Sequence, residues 1–284
     1  MNEPTHKPDR TQAPLGVWLL SLALLLAAFF PTLSWLAITW LGSPYYGHGI
    51  LVPLIAGWSA WRLFRGRDGA PSPAFWPGAG AVTAALAVHL LALWRGQHLL
   101  SALALVGGLV GLVMALGGMA TLRRMAFPLA YLLLMIPLPW MESSTPALAR
   151  GVARWAAALA RPVGVQAAVE GARVSLAGGA MTVGAPCSGL NSLGALVALA
   201  ALYAFLLRGP MWARAALVAL SPAIALTANL ARIWLLLVLG HYVSIPFALR
   251  YFHDWSGFLL FLLALGLLIA IGKGMGCREI RADI

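Results

Sequence analysis

The sequence predicts an all-α protein, a polytopic bundle of about eight membrane-spanning helices. Three observations carry that expectation. Mean hydropathy is +0.87, and 61% of residues are hydrophobic. Only 10% of the 284 residues are charged, against about 25% in a soluble domain. The apolar residues also fall in runs of roughly the 20 residues that a helix needs to cross a bilayer, with most arginines in the short breaks between them.

Taken in order, the runs are 15–41, 49–64, 76–94, 99–120, 125–140, 190–207, 212–240 and 255–271. The second, fifth and last are short, which thinning of the bilayer or snorkelling of flanking residues accommodates. The seventh is long enough to tilt or to begin as an interfacial turn. Residues 1–14 are polar and no small-residue cleavage site follows the first run, so that run is expected to stay as an anchor.

The net charge of +11 comes from 19 Lys plus Arg against 8 Asp plus Glu. In a soluble protein such an excess points to nucleic acid; here it reads as topological charge beside anionic lipid. With the N-terminus in the cytoplasm, the inner segments hold Lys7, Arg10, Arg62, Arg65, Arg67, Arg123, Arg124, Arg208, Arg214, Lys273, Arg278 and Arg281. The outer ones hold Arg95, Arg150, Arg154, Arg161, Arg173 and Arg250. Every inner loop is then basic, which favours N-in and C-in. The expected organisation is a single integral membrane domain over 1–284. Residues 1–14 and 273–284 are its cytoplasmic tails, and 141–186 is a long outer interfacial segment.

Within that segment Arg150, Arg154 and Arg161 fall on one helical face, and Leu148, Val152, Trp155 and Leu159 fall largely on another. That spacing predicts an amphipathic helix lying in the interface plane. After it, short β-like runs flank Gly178-Gly179 and predict a small hairpin leading to Cys187.

Three residues of this chain are equipped for chemistry. Cys187 sits between Pro186 and Gly189 just before the apolar run from Leu190. A thiol near a helix N-terminus faces unpaired amides and the positive end of the helix dipole, which stabilise the thiolate. Its structural alternative is a small packing residue. Arg232 lies inside an apolar run, where an arginine at the bilayer centre costs about 2.5–3.5 kcal/mol. Its alternative is snorkelling toward the outer end near Gly240, and Asn229, three residues earlier, shares its face and can orient the guanidinium. His253, with Asp254 beside it, stands just before the last run on the same outer side; its alternative is a place in an aromatic belt with Tyr251, Phe252 and Trp255. Thiol, cation and imidazole on one membrane face make a complete acyl-transfer set. His48, in Tyr45-Tyr46-Gly47-His48-Gly49, is also outer and can line the path of a substrate. Scattered histidines without i,i+4 pairs argue against a zinc site, and the two cysteines, Cys187 and Cys277, give no disulfide framework.

On five blocks the sequence resembles the exosortase/archaeosortase family of membrane cysteine transpeptidases. These are Tyr46-Gly47-His48-Gly49-Ile50-Leu51-Val52, Ile136-Pro137-Leu138-Pro139, Ala185-Pro186-Cys187-Ser188-Gly189-Leu190, Asn229-Leu230-Ala231-Arg232-Ile233, and His253-Asp254 with Gly257. The cysteine block is the most specific. The resemblance implies a Cys, Arg and His site at Cys187, Arg232 and His253, supported by Ser188, Gly189, Asn229, Asp254, His48 and Tyr46, with no metal or other cofactor. It implies secreted substrates carrying a C-terminal sorting motif, a transmembrane helix and a basic end, of which the PEP-CTERM type is best known. The acceptor would be an amine, lipid, glycan or water, and the location the inner membrane with the site on its extracytoplasmic side. Pro186 stands where the family commonly has alanine, and no fused extra domain is expected.

Two other readings fit the same residues. Ser188-Gly189 at a helix start with a distant histidine resembles a rhomboid-like intramembrane serine protease; thiol alkylation separates the two, because only the cysteine mechanism is blocked by it. A transporter or assembly scaffold, with Arg232 binding an anionic substrate, predicts flux without proteolysis.

Overall fold

The computed structural model describes residues 14–65, 72–184, 189–277 and 279–281, with the side chain of Asp254 outside that set. Cys187 and Ser188 therefore lie outside the described residues. Among those described are eleven α-helices and two small antiparallel sheets, one of three strands and one of two. They fall into two compact units, one formed by Gly49–Pro137 with the chain before Trp40, the other by Trp40–His48 with the chain from Leu138 onward.

The first unit holds α1 (Leu15–Ala28), α2 (Phe30–Gly42, to Thr39), α3 (Leu51–Arg65), α4 (Phe75–Trp94), α5 (His98–Arg124) and α6 (Ala126–Tyr131). The first apolar run is not one straight span: α1 and α2 meet at 72°. Pro31 explains the break, since its ring collides with the carbonyl four residues earlier and it has no N–H to donate. The break leaves the Ala28 carbonyl open, and Nε2 of buried His89 donates to it at 3.2 Å. That bond assigns the lone pair to Nδ1, which accepts from Ser101 Oγ at 2.6 Å; Ser101 Oγ is in turn hydrogen-bonded to Thr32 Oγ1. All three side chains are buried, so this relay satisfies the polar groups that the bend brings into the apolar interior. Helices α4 and α5 approach through small residues: a side chain at Gly78 would come within 2.3 Å of the Ala115 backbone. Close backbone contact of this kind supplies packing where no hydrophobic drive separates helix from lipid.

In the second unit α7 (Pro139–Ala160) starts where Pro137 and Pro139 end the preceding helix, with Pro139 in its first turn. Its buried strip is Ala149, Ala153, Ala156, Ala157 and Ala160. Arg150, Arg154 and Arg161 are exposed as expected, and Trp155 and Leu159 of the apolar face are also free of protein contact over much of their surface, 68% and 51% exposed. The small alanine strip wins the protein contact because it lets α9 (Met211–Tyr242) pack closely, through Ile233, Leu236 and Leu237. Trp234 Nε1 donates to the Leu159 carbonyl at 3.1 Å and the Tyr242 hydroxyl to that of Val163 at 2.5 Å.

The hairpin before the cysteine is present as β2 (Arg173–Leu176) and β3 (Gly179–Thr182), and β1 (Ala168–Glu170), not expected, adds a third strand to give the order β1-β2-β3. Val174, Leu176 and Met181 bury one face on the α7/α9 core. Then come α8 (Leu190–Leu206), β4 (Leu207–Arg208), α9, the short α10 (Ile245–Phe247), a π-helical turn Ala248–Phe252, α11 (His253–Gly274) and β5 (Glu279–Ile280), which pairs with β4. α8, α9 and α11 share a core of Leu196, Ala200, Leu217, Ala225, Ala264 and Leu268.

By length and composition four helices are able to span a membrane, or six if each of two bent pairs is one span, where the apolar runs suggest about eight. The difference is one of length. α3 has 15 residues, about 22 Å of helix, and α8 has 17, about 25 Å; both fall short of the roughly 30 Å hydrocarbon core.

Candidate active site

The site grows from the first residue described after the cysteine block. Gly189 caps the N-terminus of α8 with φ 89° and ψ −6°, a left-handed conformation that glycine adopts without penalty. It has a second reason to be glycine: a Cβ there would lie 3.0 Å from Cγ and Nδ2 of Asn229. Ser192 Oγ returns to the Gly189 carbonyl at 2.9 Å and fixes the first turn. Asn229 is 5% exposed and sits on α9 one turn before Arg232.

Arg232 does not snorkel along α9. Its guanidinium crosses to the start of α11, where Nη2 donates to the His253 carbonyl at 2.8 Å and Nε donates to Ser256 Oγ at 3.2 Å. Those bonds offset part of the desolvation of a charge placed roughly 15 Å, ten residues, from the end of α9. The guanidinium lies against Gly257, where a Cβ would be in ordinary contact at 3.4 Å from Cζ of Arg232.

α8, α9 and α11 enclose a cavity of 420 Å³, within the size range of small-molecule sites. Its polar lining includes Asn191, Ser192, Asn229 and Arg232, and its apolar lining includes Leu196, Ala225, Phe258 and Phe261. A guanidinium carries five N–H donors. Two are engaged, and among the described residues the remaining three make no hydrogen bond. A cation whose remaining donors meet no acceptor among the described residues, in a largely apolar cleft, is suited to stabilise negative charge developing on an oxygen.

Of the residues singled out from sequence, the structure brings Gly189, Asn229, Arg232 and the main chain of His253 together. Tyr46 and His48 lie on another flank of α8. Buried Tyr46 packs with Leu190 and Met141 and donates to the Leu138 carbonyl at 2.9 Å. The His48 ring lies against Gly194, where a Cβ would come 2.4 Å from its Cε1. His48 is not among the residues lining the cavity. His241 is exposed, against Tyr242. Among the described residues no three His, Cys, Asp or Glu side chains cluster as metal ligands would. Ser256, 1% exposed, has no signal in the sequence; it becomes legible only once the register of α11 against Arg232 is known.

The family model for transmembrane exosortases matches residues 35–270, which takes in every block named above. No curated protein and no solved structure matches the chain. The chain is a multi-pass membrane protein that belongs to the transmembrane exosortase family, cysteine transpeptidases that process the sorting signals of PEP-CTERM-type proteins.

Proposed function

We infer that the chain cleaves the C-terminal sorting tail of secreted proteins at the extracytoplasmic face of the inner membrane, with Cys187 as nucleophile. The thiolate adds to the carbonyl carbon of the scissile peptide; the tetrahedral oxyanion collapses, the C–N bond breaks, and a thioester joins substrate to enzyme. His253 gives the departing amine its proton, and the tail helix leaves with that amine. His253 then takes a proton from the acceptor, an amine, a lipid or glycan hydroxyl, or water, whose attack on the thioester breaks the C–S bond and returns the thiolate beside a protonated His253. Arg232 carries the oxyanion in both steps.

The observation that carries this reading is the cavity at the start of α8, lined by Asn229 and by Arg232, three of whose donors meet no acceptor among the described residues. Gly189 is two residues from Cys187, so covalent geometry keeps their Cα atoms within roughly 7 Å. The test is processing of a tailed secreted protein co-expressed with the full chain. Cys187→Ala abolishes tail release and Arg232→Lys lowers its rate by about 10²–10³, while Cys277→Ala, at a buried position in the α8/α9/α11 core, leaves it unchanged. Equal processing by all variants would overturn the reading.

A further inference from the structure

We propose that Ser256 is a positioning residue that decides which edge of the Arg232 guanidinium faces the substrate. The inference rests on Arg232 as the oxyanion donor. A guanidinium has a side-on edge, Nε with Nη2, and an end-on edge, Nη1 with Nη2. Here α11 occupies the side-on edge: Nε donates to Ser256 Oγ and Nη2 to the His253 carbonyl. The proton direction is unambiguous. A carbonyl only accepts, so the Ser256 hydroxyl donates to the His253 carbonyl at 3.1 Å and turns its lone pair to Nε.

His253, Ser256 and Gly257 stand at i, i+3 and i+4 and so share one face of α11. That face offers two acceptors and, at Gly257, a bare backbone on which the guanidinium rests. Ser256 is buried, and its hydroxyl is the acceptor that Nε uses. In Ser256→Ala the Nε donor loses its acceptor, the guanidinium is free to turn, and its side-on edge competes for the cavity. The substrate still binds; the transition state is the species that loses its donor pair.

The experiment is steady-state cleavage of a tailed substrate by the purified full-length chain in vesicles, for wild type, Ser256→Ala, Ser256→Thr and Arg232→Ala, with thermal unfolding of each. Ser256→Ala is expected to lower kcat between about 10- and 100-fold with KM within about twofold of wild type. Ser256→Thr keeps a hydroxyl able to bond the carbonyl three residues back and is expected to restore kcat to within about threefold of wild type. Unchanged kcat in Ser256→Ala overturns the proposal, and so does a loss seen in KM instead, or a loss that Ser256→Thr does not repair. Full activity in Arg232→Ala overturns the underlying reading instead, which keeps the two failures apart.

Discussion

Replacing Gly194 by alanine sets two effects of opposite sign against each other. Alanine is preferred to glycine in a helix interior by about 0.5–1 kcal/mol, and Gly194 is inside α8. Against this, the added Cβ would lie 2.4 Å from Cε1 and 2.9 Å from Nε2 of His48. The ring must retreat by roughly 1 Å to reach ordinary contact, and overpacking of this kind costs about 1–3 kcal/mol. Steric strain is the larger effect, leaving a net destabilisation of up to about 2.5 kcal/mol. In a His48→Ala background the ring is gone and the helix preference acts alone, so Gly194→Ala becomes stabilising by about 0.5–1 kcal/mol. The change of sign between backgrounds is the coupling of the pair, about 1–3 kcal/mol. Unfolding of the four proteins in mixed micelles measures it. An equal effect of Gly194→Ala in both backgrounds would refute the packing of the Tyr46-Gly47-His48 segment against α8.

Three further outcomes follow from single contacts. Gly189→Ala forces a side chain into the left-handed region, at about 1–2 kcal/mol, and against Asn229, so both melting temperature and processing rate fall; wild-type values of both would contradict the described N-cap. Burial, reinforced by the charge of Glu142, pushes the Tyr46 hydroxyl up from 10.0 to about 12. The folded state thus favours neutral Tyr46, so its contribution is intact below pH 10.0 and is lost as pH rises through about 12. Tyr46→Phe flattens the fall in stability across that window, and an unchanged slope would refute the assignment. His89→Leu strips the Ala28 carbonyl of its donor and costs about 1–3 kcal/mol for the unsatisfied group; denaturation indistinguishable from wild type would show that the α1/α2 bend does not depend on the His89 relay.

Most of the helices could be read from apolar runs because burial in lipid leaves a local signal. α4, α5, α8, α9 and α11 lie within a few residues of their expected ends. What escaped is what depends on partners distant in sequence. Pro31 was visible, but a bend of 72° becomes tolerable only when His89, 61 residues away from Ala28, satisfies the opened carbonyl. The basic and apolar faces of α7 were legible from their spacing, but the use of the alanines for close approach to α9 was not. Arg232 was recognisable from its cost in an apolar run, and Asn229 from its spacing. The route of the guanidinium to the His253 main chain and Ser256 depends on how α11 is registered against α9, which no local pattern encodes. His48 lay in a legible block, yet Gly194 across α8 is what fixes its ring.

The central claim is that Cys187 becomes acylated by the substrate. Trapping the full-length chain with a tailed secreted protein, quenching in acid and fragmenting it for mass spectrometry tests this directly. The account predicts a substrate acyl group on Cys187 that hydroxylamine removes and that Cys187→Ala lacks, together with a released tail peptide. Tail release with no adduct on Cys187, or undiminished release by Cys187→Ala, would contradict it.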